Sequence, residues 1–402
     1  IESWRFWQTP TAIPTPMTTV IKLRRNTRKN MSKAIRLLPV VLIVSVICFA
    51  SCLKNSSESI DGERQTKGIS EISTKTRGFK MGFSALPKNP SWESYQDTFK
   101  IAAEYGEVIA IKRTPPWEEF MSGSTISQET KDLAILEKEL INRHNLTLVF
   151  AIDPWDGAVQ RTRIHQLPMN YDPRKGILDK RLQTALTNYA IFVTTNYEPD
   201  YLILGIEINM LAERSPQQFA AFLDIYAKIY EDIKKIRPEI KIFPTFQIED
   251  LYGLLDVQGN RSWESIDVFS GMMDMLAVST FPYLTDIDSA QSLNTDYYLF
   301  LRERFKGEIM IFEAAYPSKA VDSYPLIGNE NDQNTYIKKL LNDAETGAFS
   351  VLIWLALSDP FTANNEATQI FRDIGLIKKT GEYKQAWHTW ETWVNRSYIS
   401  GN

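Results

Sequence analysis

Between Gly78 and Leu357 the chain carries eight short, nearly unbroken apolar runs: Gly78–Phe83, Val108–Lys112, Leu146–Ile152, Tyr201–Ile208, Ile240–Phe246, Leu276–Thr280, Glu308–Ala314 and Val351–Leu357. Amphipathic stretches separate them, among them Trp92–Tyr105, Lys131–Arg143, Lys180–Asn196, Pro216–Ile236, Tyr297–Phe305 and Gln333–Thr346. A strand that is apolar at every position suits a parallel sheet covered on both faces. A recurrence of roughly 30–50 residues suits repeated strand–helix units. Eight such units in about 325 residues favour a closed barrel over an open sheet. No glycine-rich phosphate loop follows the first run, which counts against a dinucleotide-binding fold. The expectation is one α/β domain over residues 77–402, a single (β/α)8 TIM barrel.

What precedes that domain is of another kind. Lys33 and Arg36 lead into an apolar stretch of 14 residues, Leu37–Ala50, which ends Phe49-Ala50-Ser51-Cys52. A basic start, a short apolar run and small residues at its end describe a secretory signal, and the run is too short to span a bilayer comfortably. The ending resembles the lipobox of bacterial lipoproteins, with Phe49 where Leu is usual. Residues 31–51 are therefore expected to be a lipoprotein signal peptide. Cys52 is expected to carry the lipid, giving an exported protein held at the bacterial envelope. A plain signal peptide or an uncleaved anchor is the alternative. Residues 52–76, rich in Ser, Lys, Glu and Gly, read as a flexible tether. Residues 1–30, Pro/Thr-rich and then basic, lie upstream of Met31 and read as an over-extended reading frame.

Charge and cysteine usage narrow the function. Eight of the 45 basic side chains and one of the 49 acidic ones fall in residues 1–51, leaving 37 against 48 and a formal net charge of −11. Such an acidic body lacks the footprint that a phosphate backbone requires, so no nucleic-acid partner is expected. The two cysteines, Cys48 and Cys52, lie at the end of the signal and leave no internal disulfide for the domain. His144, His165 and His388 show no metal-ligand spacing, and His144 reads as the end of a helix. The acidic segment Asn329–Asp332 has the composition for a structural calcium ion, but a helix N-terminal cap explains it with less. No cofactor is expected.

In a barrel, chemistry sits where strands end and the following loops begin. Here those ends read Lys112-Arg113, Asp153-Pro-Trp155, Glu207-Ile-Asn209, Gln247, Ser279-Thr-Phe-Pro-Tyr283, Glu313 and Trp354. Glu207 and Glu313 stand out, because each interrupts an apolar strand where an ionised carboxylate is costly to bury. A neighbouring Arg or Lys satisfying each of them is the plain structural alternative. Two opposed carboxylates are what glycosidic cleavage needs, one to protonate the leaving oxygen and one to attack or activate water.

These segments resemble the superfamily of retaining barrel glycoside hydrolases. Within it they are most similar to the arabinogalactan endo-β-1,4-galactanase family. Glu313-Ala-Ala-Tyr-Pro317 is similar to that family's seventh-strand motif, Gly205-Ile-Glu-Ile-Asn209 to its fourth-strand motif, and Asn329–Tyr336 to the opening of its next helix. The resemblance implies Glu207 as acid/base, Glu313 as nucleophile, and Trp354 as the platform beneath the sugar. It also implies that Phe281 and Tyr283 lie in a segment that supplies an aromatic hydroxyl near the nucleophile, with core or loop packing as the alternative, and Tyr316 is a further substrate-binding candidate. Asp153 and Trp155, in a run that also makes a good turn, are further candidates for the cleft wall. Lys112 or Arg113 is a candidate for holding a carboxylate in its charged form. Ile206 stands where the family has the Asn that holds the sugar 2-hydroxyl, with Asn209 as the residue that could compensate. The expected partner is a β-linked carbohydrate, cleaved by a monomer with retention. The alternative is a carbohydrate-binding surface lipoprotein with weakened or lost catalysis.

Overall fold

In a computed structural model, which describes residues 75–156, 161–255, 263–321, 326–361 and 369–400, all eight runs form parallel strands of one sheet. They are β1 (Lys80–Ser84), β2 (Val108–Arg113), β3 (Thr147–Ile152), β4 (Tyr201–Leu204), β5 (Lys241–Phe243 and Thr245–Gln247), β6 (Leu276–Thr280), β7 (Ile309–Ala314) and β8 (Val351–Trp354). Pro244 splits β5, since it has no N–H to give to a ladder. The first half of β5 pairs with β4 and the second with β6, while β8 pairs with both β1 and β7. Those pairings close the ring. The protein is a (β/α)8 barrel.

The helices follow the strands in order: α1 (Trp92–Glu104), α2 (Gln128–His144), α3 (Lys180–Asn196), α4 (Ile208–Arg214) and α5 (Pro216–Ile236). After them come α6 (Ile248–Leu251), α7 (Glu264–Asp267), α8 (Phe300–Arg304), α9 (Glu330–Thr346) and α10 (Gln385–Val394). Their starts follow from local chemistry. Ser91 and Ser127 accept from backbone N–H groups three residues on, at 3.1 Å each, and Pro216 opens α5. Asn329 caps α9 by accepting from Asp332 N at 2.9 Å, so the acidic Asn329–Asp332 segment is a helix cap. Helix α10 has no counterpart among the sequence expectations. Its Trp387, Trp390 and Trp393 are buried, with Trp390 4.7 Å from the Phe83 ring of β1.

Side-chain alternation along the strands sorts the core into two layers. One face of each strand packs outward against the helices: Phe83, Ile111, Phe150, Leu204, Val278, Ile311 and Leu352 lie there. The other face fills the barrel with Val108, Ala110, Val149, Ala151, Ile203, Ile206, Phe243, Ala277, Met310, Phe312 and Ile353. At the strand starts, carboxylates lock neighbours together. Glu107 accepts from Met81 N (3.0 Å), Asp200 from Leu148 N (2.9 Å) and Asp274 from Ile242 N (2.7 Å). The strand ends are thereby left for the site.

Candidate active site

Above the apolar plug the same alternation brings polar side chains to the barrel axis. In β2, Lys112 shares the inward face with Val108 and Ala110; in β6, Ser279 follows Ala277. Asp153, one step past the outward Ile152, turns inward. Glu313 arrives by a different device. Met310 and Phe312 face inward, so simple alternation would turn Glu313 outward. The β6–β7 register pairs Val278 with Ile311 but Ser279 with Glu313, so one extra residue is inserted there. This bulge re-aims Glu313 into the barrel beside Ser279.

Glu207 is positioned by a sharp turn at the end of β4. Gly205 has φ +87°, and a Cβ there would lie 2.7 Å from the Phe222 ring and 2.8 Å from Ile208. Glu207 itself sits in the left-handed region at φ +53° and caps α4, with its N–H donated to Thr245 Oγ1 at 3.0 Å. A non-glycine residue held there costs on the order of 1–3 kcal/mol and persists where the surroundings over-determine it. The strand therefore stops at Leu204, four residues earlier than the sequence suggested, and Glu207 stands on the turn.

Both carboxylates are buried, at 2% and 3% exposure, and both have cationic partners. Lys112 Nζ donates to Glu313 Oε1 at 2.7 Å. Arg161 Nε donates to Glu207 Oε2 at 2.6 Å, and its NH1 donates to both oxygens of Asp153 at 3.0 and 2.9 Å. Ser279 Oγ donates to Glu207 Oε1 at 2.5 Å. Ser279 thus bonds one glutamate and is the register partner of the other, and the Glu207 charge is near enough to act on Glu313. Burial pushes the Glu313 carboxyl above the usual range; Lys112 offsets part of this and the nearby Glu207 charge adds to it. Burial works against the charge of Arg161, but Asp153 and Glu207 overcome it and raise its affinity for the proton.

The remaining expected residues divide. Trp155 is buried against Phe222 at 4.8 Å and forms an antiparallel bridge with Ile164. Tyr283 and Tyr316 are buried with ring centroids 5.9 Å apart, and neither hydroxyl has a hydrogen-bond partner among the described residues. Phe281 lies edge-on to Phe371 at 5.6 Å. Three others are turned elsewhere. Arg113, one step past Lys112, faces outward and pairs with the buried Glu137 of α2. Asn209 bridges the Gln247 backbone and Asp250 Oδ2 (2.7 Å) behind the site. Trp354 shares the outer face of β8 with Leu352; it is 0% exposed and donates to the Ile374 carbonyl at 2.9 Å. Cys52 lies outside the described residues.

Arg161 and Thr245 were not among the sequence candidates for the site, and Ser279 was read only as the start of a strand-end segment, with no role of its own. Alternation within β5 and β6 would have found the last two. Arg161 carries no such signal, because it stands outside any strand or helix, between β3 and α3.

No protein-family model and no curated relative matches the chain. Solved structures do share its fold. A GH5_18 protein from Bifidobacterium longum subsp. longum matches at 14% identity and TM-score 0.60, covering 80% of this chain and 81% of that one. The exo-β-1,4-mannosidase Op5Man5 from Opitutaceae bacterium strain TAV5 matches at 13% and 0.61, over 81% of this chain and 61% of that one. The family 1 β-glucosidase from Thermotoga maritima matches at 11% and 0.54, over 81% and 99%.

Proposed function

We propose that the chain is a glycoside hydrolase that cleaves a β-linked oligosaccharide or polysaccharide with retention, using Glu207 and Glu313 as its carboxylate pair. One observation carries this reading. Two buried glutamates from β4 and β7 stand at the strand ends, Glu207 accepting from Ser279 and Glu313 beside Ser279 in register and within reach of the Glu207 charge, at the place where barrels of this kind hold their chemistry. The barrels of the Bifidobacterium protein, the mannosidase and the β-glucosidase support it as likenesses of fold. The galactanase likeness rests on short motifs of β4 and β7, so a β-1,4-galactan is one substrate to try among other β-glycans. The lipobox-like segment ending at Cys52 supports action at the bacterial envelope.

The test is a panel of chromogenic β-glycosides and β-glycans with the full chain and its Glu207→Gln and Glu313→Gln variants. Activity that each substitution abolishes is expected; activity unchanged in both variants removes the proposal.

A second reading, a glycan-binding envelope protein with lost catalysis, is favoured by Ile206. This residue is 0% exposed and belongs to the apolar plug, so it offers nothing to a sugar hydroxyl. Binding of a glycan without release of reducing ends would select it.

A further inference from the structure

The chain joins the barrel at the face opposite the site. Thr76–Arg77 runs parallel to Ser397–Tyr398 as a separate two-stranded sheet, and Ile399 N donates to Arg77 O at 3.0 Å. Arg77 is buried and fastens this sheet to the strand starts. Its guanidinium donates to Phe79 O and to Glu107, and the other Glu107 oxygen accepts from Met81 N at 3.0 Å. Two further bonds hold the entry, at 2.9 Å each. Gly78 N donates to Glu345 Oε2 in the last turn of α9, and Lys80 N to Ser350 O just before β8. Lys75 thus stands at the floor of the barrel, while Glu207 and Glu313 stand at the mouth, where the strands end.

Beside this entry the floor presents apolar surface. Tyr398 is 37% exposed and Ile399 56%, both next to Arg77 in the small sheet. Ile236, 46% exposed, ends α5; the helices run back from the mouth to the strand starts, which puts it on the same face. Charges of both signs surround these residues, with Lys235 beside Asp232 and Lys241 beside Glu308. The apolar side chains, not net charge, therefore mark the face.

We propose that the floor faces the bilayer that holds the lipid on Cys52, with Tyr398 and Ile399 at the lipid surface and the mouth opening away from it. This rests on the envelope reading above, and it fixes the side from which substrate comes: a glycan arriving from outside the membrane, not the headgroup of a glycolipid in the same bilayer. Chain length supports it. Twenty-two residues lie between Cys52 and Lys75. A coil of that length spans about 25 Å. The six residues of β2, at about 3.3 Å each, already make the strand layer about 20 Å tall, and the helix layer adds roughly 10 Å to each side. The anchor reaches the floor unstretched and would have to be drawn round the wall to bring the mouth down. A Tyr ring settles among lipid headgroups, apolar body inward and hydroxyl in water, and an aliphatic side chain beside it gains by leaving water.

The experiment uses the full chain made in a bacterium, extracted from its membranes and reconstituted in phosphatidylcholine vesicles with a nitroxide on the headgroup. Cys48 leaves with the signal and Cys52 carries the lipid, so an introduced cysteine is the one thiol left to label. A bimane on Ile399→Cys reports the floor. One on Met169→Cys reports the mouth, since Met169 is exposed between β3 and α3. Loss of fluorescence at 399, with 169 near its value in nitroxide-free vesicles, is the expected result. Equal loss at both, or greater loss at 169, overturns the orientation and leaves the anchor standing. Replacing Tyr398 and Ile399 together by Ser should lower the loss read by a bimane on Ile236→Cys; an unchanged loss overturns the contact given to them. Cys52→Ala should shift the chain from the membrane to the soluble fraction. A wild-type chain already in the soluble fraction takes down anchor and orientation together, and the hydrolytic reading is then judged separately by the chromogenic panel.

Discussion

Glu249 is a third buried carboxylate, and its titration should set part of the pH dependence of stability. It lies in α6, fully buried, and its oxygens accept from Thr280 Oγ1 (2.7 Å), Phe281 N (3.0 Å), Tyr297 OH (3.1 Å) and Gln247 Nε2. Burial pushes its carboxyl up to about 7 against the opposing pull of those donors, from an ordinary 4.5. The folded-state value lies above the unfolded one. The stabilising contribution is therefore complete below about 4.5 and is lost as pH rises through about 7. The difference corresponds to roughly 3 kcal/mol between pH 4.5 and pH 8. Glu249→Gln removes this titration and keeps the shape. Its amide oxygen can accept from Phe281 N and Gln247, while its NH2 can donate to the Thr280 and Tyr297 hydroxyls, which rotate to accept. Thermal unfolding of both proteins at pH 5 and pH 8 is the assay. With an unfolding entropy of about 2.1 cal/mol/K per residue, roughly 3 kcal/mol is about 5 °C for a barrel of this size. From pH 5 to pH 8 roughly 2.5 kcal/mol of that difference is lost, so the wild type should lose about 4 °C more than the variant. Asp250 and Glu313 are shifted in the same direction but titrate in both proteins, so the comparison isolates Glu249. Equal losses in the two proteins would refute the reasoning.

Four further substitutions probe the site and its supports. Ser279→Ala deletes the hydroxyl that donates to Glu207; a hydrogen bond to a charged group is worth about 1.5–3 kcal/mol, so kcat/KM should fall roughly 10- to 100-fold with little change in melting temperature. Arg113→Met breaks the buried pair with Glu137 and should cost about 3–5 kcal/mol of stability, read by denaturant unfolding. Lys112→Met, one residue away but partly exposed, should leave unfolding nearly unchanged and lower kcat/KM. Gly205→Ala places a Cβ 2.7 Å from the Phe222 ring at a backbone angle that L residues avoid, so soluble yield and melting temperature should both drop.

The barrel was legible because its cause is local: eight apolar runs at regular spacing, each too continuous to serve a one-sided sheet. The starts and ends of α3 and α5 coincide with the amphipathic stretches, since hydrophobic periodicity and caps both lie in the sequence. Alternation along β2 already separates Lys112 from Arg113, although both looked alike as charges at a strand end. Helix α10 was missed because its tryptophans bury one face against β1 and Tyr105, just past α1, contacts that join residues far apart in sequence.

The amino-acid order alone determined that Glu207 and Glu313 end apolar runs four and seven, because an acidic residue in such a run is visible wherever it falls. Only the folded chain decided which way they point and what holds them. The extra residue beside Phe312 turns Glu313 into the barrel, and a left-handed turn lifts Glu207 off its strand. Arg161 reaches Glu207 from outside any strand or helix, while Trp354 and Asn209 turn into the packing. Bulges, turns and ion pairs between distant segments are set by the competition of all eight strands for one closed ring. That competition has no expression in the sequence of any single strand.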